Sequence, residues 1–217
     1  MLISIVGGHG QIAMLLHPIL TDKGHRVRGI IRKPGQAPDL REAGAEPVIC
    51  DIEEQEDISE AVGPADAVLF AAGAGPGSGA ERKWTVDRDG AIKLIDAAKK
   101  NGIRRYVLIS AMGLDEPRGP EVFRTYQKAK AEADRAVRDS DLDYTIIKPG
   151  RLTNETGTGN ISLGSDLDRG EIPRADVALT LAEILETPAL AGRTLDLVSG
   201  VTPIPEAVRN AVADRES

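Results

Sequence analysis

The amino-acid sequence predicts an α/β fold, a doubly wound parallel sheet with helices on both faces. Two observations carry that prediction. Short runs rich in β-branched and aliphatic residues alternate with helical patterns along nearly the whole chain. Strands of this β-branched kind, separated by helices, imply a parallel sheet covered on both faces. The first strand, Leu2–Val6, breaks into the turn Gly7-x-x-Gly10-x-x-Ala13 and then into a helix. Such a turn delivers the positive end of a helix, with several free backbone N–H groups, to one point.

The elements follow in order. Gln11–Lys23 is helical, with Ile12, Leu15, Leu16, Ile19 and Leu20 at helical spacing and Lys23-Gly24 as its stop. Val27–Ile31 is the second strand, Gln36–Ala43 a short helix and Pro47–Cys50 the third strand. Glu54–Val62 reads as a helix whose leading acids suit its N-terminus. Ala67–Ala72 is the fourth strand, followed by a glycine-rich loop from Gly73 to Gly79. A long helix over Glu81–Asn101 leads to the fifth strand, Tyr106–Ser110. Glu121–Asp139 is helical and Tyr144–Ile147 is the sixth strand. After Pro149-Gly150 the pattern loosens into a Thr/Gly-rich loop, then resumes as helix Ala175–Glu186, strand Thr194–Val198 and helix Pro205–Ala213. The acidic end, 214–217, is expected to fray.

At 217 residues the chain is one domain, large enough to bury a core without staples. The stretch 151–172 is too short for a second domain and reads as a substrate-covering region, so no large separate substrate domain is expected. A net charge of −7 without a basic block disfavours nucleic acid. No apolar run approaches the roughly 20 residues that span a bilayer. The lone Cys50 excludes an internal disulfide and fits a reducing cytoplasm. His9, His17, His25 and Cys50 have no metal-ligand spacing, so no metal is expected.

Repeated βα units after a glycine-rich first turn imply a Rossmann sheet, with its ligand crevice at the carboxyl ends of the strands. A dinucleotide there would meet Gly7, His9, Gly10, Gln11 and Ile12 on the first turn. Gly7 allows the sharp turn, Gly10 lets a pyrophosphate approach bare backbone, and Ala13 lets the helix lie close on the strand. The second strand ends in Arg32-Lys33 with no acid at the place where NAD-selective sites carry one. A guanidinium suits a 2′-phosphate, which favours NADP(H). Asp51 and Ile52 end the third strand beside the expected adenine, though Asp51 reads nearly as well as a helix cap. Ala71, Ala72 and Gly73 end the fourth, small enough for backbone to pass beside the ribose.

Chemistry is expected from the fifth strand and the following helix. Ser110 ends that strand at the crevice, and Tyr126 and Lys130 lie four residues apart on one helix face. The ammonium would lower the phenol's pKa, making Tyr126 an acid or base near neutrality, while Ser110 orients a substrate carbonyl. Trp84 is expected to pack rather than to stack on substrate.

The chain resembles the short-chain dehydrogenase/reductase superfamily over roughly residues 1–200, specifically its compact, atypical NAD(P)H-binding branch. That branch includes proteins similar to flavin/biliverdin-IXβ reductases and NmrA-like regulators. The resemblance rests on the first turn, Val27–Pro34, Cys50–Ile52, Val86–Gly90, Tyr106–Met112, Tyr126-x-x-x-Lys130, Ile147–Gly150 and Arg174–Ala178. It implies Ser110, Tyr126 and Lys130 as a catalytic triad, with Lys130 also reaching the nicotinamide ribose. It implies Pro149 and Gly150 as the segment along the nicotinamide. Asp87 stands where sugar-nucleotide-modifying relatives usually have Asn, and the large C-terminal domain of the extended relatives is missing.

The expected function is hydride transfer between NADP(H) and a small carbonyl, quinone-like or flavin-like acceptor. The alternatives are a non-catalytic NADP(H) sensor or scaffold, and an epimerase or isomerase with tightly held cofactor. The expected partner is a small-molecule substrate. The helices 81–101 and 121–139 could support a homodimer, and a monomer is equally compatible.

Overall fold

The computed structural model describes residues 1–75 and 77–214. Pro76 of the glycine-rich loop, and residues 215–217 of the end expected to fray, lie outside the described residues. Among the described residues the main sheet has nine strands, and its central part has the doubly wound order. β1 (Leu2–Val6) pairs in parallel with β2 (Arg26–Ile31) on one side and β4 (Ala67–Phe70) on the other. β3 (Glu46–Ile49) lies outside β2, while β5 (Arg105–Ile109) and β6 (Asp143–Pro149) continue beyond β4, all parallel. The order β3-β2-β1-β4-β5-β6 reverses between β1 and β4, so the loops leaving those two strands part and open a crevice at their carboxyl ends.

Side chains alternate across the sheet with a period of two, and each face has its own core. Ile3 and Ile5 of β1, Leu69 of β4 and Val107 of β5 face one cluster. It is completed by Leu16 and Leu20 of α1 (Gln11–Asp22), Leu181 of α7 (Arg174–Leu185) and Val208 of α8 (Ile204–Ala213). Val6, Val68, Phe70 and Leu108 face the other, against Leu94 of α5 (Gly90–Lys100) and Val137 of α6 (Glu121–Arg138). The short α2 (Ala37–Glu42) covers the β2–β3 end through Leu40.

Three segments differ from the sequence-based expectation. The helix expected over Glu54–Val62 shrinks to α3 (Ser59–Val62). Asp51 folds the preceding chain into a turn, because its Oδ1 accepts the Glu53 N–H and its carbonyl accepts those of Glu54 and Gln55. The long helix expected over 81–101 is α4 (Ala80–Arg82), a π-helical stretch at Lys83–Asp89, and α5. The region expected as loop over 151–172 holds β7 (Arg151–Thr153), β8 (Asn160–Gly164) and β9 (Glu171–Pro173). β7 pairs with β9 in a separate small sheet. β8 runs antiparallel to β10 (Arg193–Ser199), which lies parallel beside β6, and β11 (Thr202–Pro203) closes the edge beyond β8. The polar Thr/Gly stretch hides these strands because β8 has only one fully buried side chain, Ile161.

Candidate functional site

The turn after β1 is a backbone cradle. Gly7 has φ +84°, and a Cβ there would stand 2.6 Å from Ala72 backbone at the end of β4. A Cβ on Gly8 would come within 2.8 Å of Gly29 Cα in β2. These close approaches let the turn sit down into the crevice. His17, fully buried on α1, bonds the Gly8 carbonyl through Nε2 at 2.7 Å and so fixes the turn from below. Burial holds the His17 pKa below its ordinary value, and a neutral ring with Nε2–H donating is the form that satisfies this contact. Gly10 begins α1 without a side-chain cap, and the first turn carries no acid. The free N–H groups and the positive end of the dipole therefore face the cleft unneutralised.

Two lobes meet at this point. The outer lobe, about 230 Å³, is lined by Gly7, His9, Gly10, Arg32, Asp51, Ile52 and Ala71–Gly73 among others. The inner lobe, about 660 Å³, is lined by Gly10, Gln11, Ile12, Ala71–Gly73, Ser110, Tyr126 and Lys130, with Lys83, Asp87, Phe123, Leu152 and Arg174. Gly10 and the Ala71–Gly73 segment border both, so the lobes form one cleft. His9 is turned toward Asp39, its Nε2 2.6 Å from Oδ2.

At the outer end, Arg32 is exposed and reaches Glu53 Oε2 at 3.4 Å. The sequence reading found no acid at this corner, and Glu53, arriving from the turn after β3, corrects it. Glu53 is held by Arg82 at 2.6 Å and by the Thr85 hydroxyl at 2.6 Å, contacts that keep its carboxyl below the usual carboxylate range. One oxygen of Asp51 serves the local turn, so it closes that turn rather than capping a helix, and it still lines the lobe.

At the inner end, Tyr126, Lys130 and Asp134 occupy successive turns of α6 on one face. Lys130 is buried, donating from Nζ to the Ile109 carbonyl at 2.6 Å and lying 5.9 Å over the Phe70 ring. Burial pulls its pKa down, while Asp87 and Asp134 oppose that pull. Burial, reinforced by Asp87 and Asp134, drives the Tyr126 phenol well above the usual phenol range. This reverses the expectation that Lys130 would lower it: the ammonium is engaged with the strand end, and two carboxylates dominate the field. Asp87 accepts the Ala74 N–H at 3.2 Å, and Lys83 bonds the Gly75 carbonyl at 2.8 Å, so the π-helical stretch grips the loop after β4. Lys83 also lies 5.7 Å from the Tyr126 ring centre, and Phe123 stacks on the same ring with the centroids 5.9 Å apart.

Pro149 and Gly150 stand apart from the other expected residues. Pro149 is buried, and its carbonyl accepts the Met112 N–H. The Gly150 N–H donates to Leu197, and a Cβ on Gly150 would come within 2.3 Å of the Gly170 carbonyl oxygen. Both are taken up in strand packing, and neither lines the two lobes. Leu152, just beyond them, does line the inner lobe. Trp84 pairs with Arg88, whose guanidinium lies 4.8 Å over its ring, as a packing residue would. Sequence reasoning missed Glu53, Arg82, Lys83 and Asp134. Only Asp134 carried a signal, its spacing of eight from Tyr126 and four from Lys130.

Residues 7–188 match the family model described as NAD(P)H-binding. Among curated proteins, the chain is 40% identical to the uncharacterized sugar epimerase YhfK of Bacillus subtilis over 212 residues, covering 96% of this chain and 99% of the relative. Among solved structures, a Bacillus halodurans protein named for NAD-dependent epimerase/dehydratases is 39% identical with a TM-score of 0.91, covering 97% of this chain and 99% of that one. The oxidoreductase ylbE of Lactococcus lactis is 29% identical with a TM-score of 0.87, covering 98% and 97%. A glycine cradle at a Rossmann switch point, an open helix end above it and a match across both lobes agree: the chain belongs to the NAD(P)H-binding family of atypical short-chain dehydrogenase/reductase-like proteins.

Proposed function

We propose that this chain is an NADP(H)-dependent reductase that delivers a hydride to a small carbonyl, quinone-like or flavin-like acceptor. One observation carries the reading: Ser110, Tyr126 and Lys130 all line a 660 Å³ lobe continuous with the glycine cradle. The residues present fit a dinucleotide, since the cradle leaves no room for a Cβ at Gly7 or Gly8 and the α1 end above it lacks an acid. Gly7, Gly10, Gln11 and Ile12 would hold its pyrophosphate, Arg32 its 2′-phosphate, and Asp51, Ile52 and Ala71–Gly73 its adenosine. Bound there, the group supplies the hydride.

The chain's own residues manage the acceptor and the proton. Ser110 Oγ donates to the acceptor's oxygen and fixes its orientation. Tyr126, held protonated by its raised pKa, gives its proton to that oxygen as negative charge develops. Lys130, anchored on the Ile109 carbonyl, braces the end of β5 against α6 beside the phenol, and Phe123 and Leu152 add apolar walls to the lobe.

The test is NADPH oxidation against a panel of quinones, flavins and small carbonyls. The reading expects turnover with at least one class and a loss of roughly 10²–10⁴-fold in kcat for Tyr126→Phe, the range of a general acid. A second reading, a sensor without turnover, draws support from the engagement of Lys130 with Ile109. Tight nucleotide binding without oxidation of any acceptor would favour it.

A further inference from the structure

Behind the inner lobe lie two buried polar atoms that no hydrogen bond satisfies among the described residues: Ser110 Oγ and Asp134 Oδ1. Ser110 lines the lobe, whereas Asp134, on the next turn of α6 after Lys130, does not. Asp134 is 1% exposed. Its other oxygen, Oδ2, lies 3.9 Å from Lys148 Nζ of β6. A buried carboxyl and a buried hydroxyl left unsatisfied at full count are costly, and each offers what the other lacks.

Resting on the reductase reading, we propose that Asp134 is a positioning residue for Ser110: the carboxyl behind the serine sets which way its O–H points. As a carboxylic acid, Asp134 donates to Ser110 Oγ and leaves the serine proton free to face the lobe, where it can donate to an acceptor's oxygen. As a carboxylate, Asp134 takes that proton for itself, and Ser110 presents only lone pairs to the acceptor. The acid form is therefore the competent one. The charged and titratable groups that bear on Asp134 are Tyr126, Lys130 and Arg138 of its own helix and Lys148 of β6, with the Ser110 hydroxyl across the gap. Burial raises the Asp134 carboxyl above its ordinary range against the pull of the three cations and the serine. No covalent step is involved, only the choice between two hydrogen-bond directions.

Two measurements test it. The first follows the Asp134 carboxyl by ¹³C NMR through a pH titration, in the native protein and in Ser110→Ala, and needs neither cofactor nor acceptor. Loss of the serine hydroxyl should move the Asp134 midpoint to higher pH, because Ser110 stabilises the carboxylate. An unchanged midpoint would overturn the pairing. The second compares the pH profile of kcat/KM for an accepted substrate with that of Asp134→Asn, whose amide donates to Ser110 at every pH. The native profile should fall on its alkaline side with the Asp134 midpoint, and the Asn variant should lose that fall. A retained fall in a folded Asn variant would overturn the positioning role. Where Asn at this buried position prevents folding, the Ser110→Ala titration still decides. A failed acceptor screen would sink the reductase reading alone, since the titration is read without turnover.

Discussion

His17, Glu53 and Arg32 show how single side chains set the terms of the site. His17 is buried with its pKa lowered, and its Nε2 holds the Gly8 carbonyl that shapes the cradle. In the unfolded chain the imidazole titrates near about 6.5. The unfolded state therefore binds the proton first as pH falls, and folding stability contributed by neutral His17 is lost below that value. Denaturation between pH 7.5 and 5.5 should show this loss in the native protein and a flatter response in His17→Gln, whose amide keeps a donor but does not titrate. Equal slopes would show that His17 carries none of the dependence. Glu53 acts on the cofactor side, where its carboxylate lies 3.4 Å from Arg32 and competes with any incoming phosphate. Glu53→Gln should tighten NADPH binding several-fold, about 1 kcal/mol for an exposed pair, and leave NADH nearly unchanged. Weaker NADPH binding in that variant would mean that Glu53 serves the nucleotide by orienting Arg82 instead.

At the scale of elements, the strands and most helices were legible because their apolar periods are strong. β1, β4 and β5 are buried at nearly every position, and their limits follow from runs such as Ala67–Phe70. The π-helical stretch was not legible, since Lys83–Asp89 contains neither Gly nor Pro and its apolar spacing passes for an ordinary helix. What selects it is tertiary: Lys83 and Asp87 both reach the loop after β4. The 151–172 region was equally hidden, because its order comes from a distant helix. Asp176, at the start of α7 and fully buried, accepts the N–H groups of Thr158 and Gly159 at 2.9 Å each. Asp176→Asn turns an amide donor toward one of those N–H groups. It should cost about 2–3 kcal/mol, or roughly 5–10 °C in thermal unfolding. A change of less than 1 °C would show that the β7–β8 connection holds without it. Among the site residues, Ser110, Tyr126 and Lys130 were readable from motif and order. Their electrostatics were not, because burial, Asp87 from the π-helical stretch and Asp134 two turns along α6 decide the phenol's pKa.

For the whole molecule, the doubly wound order places the reversal between β1 and β4 and thereby creates the crevice. Everything proposed for the site follows from what borders it: an uncapped helix end, a guanidinium at the outer lobe and a Ser–Tyr–Lys set at the inner one. Among the described residues no helix is long and apolar enough to cross a membrane. The central claim, that this cleft takes NADP(H) with its 2′-phosphate on Arg32, is tested most directly by calorimetric titration of the purified protein with NADPH and NADH, repeated on Arg32→Ala. The account predicts that NADPH binds more tightly than NADH, and that the substitution weakens NADPH roughly 10–100-fold, the worth of one charge-assisted hydrogen bond, while sparing NADH. Equal affinity for the two nucleotides, unchanged in the variant, would contradict it.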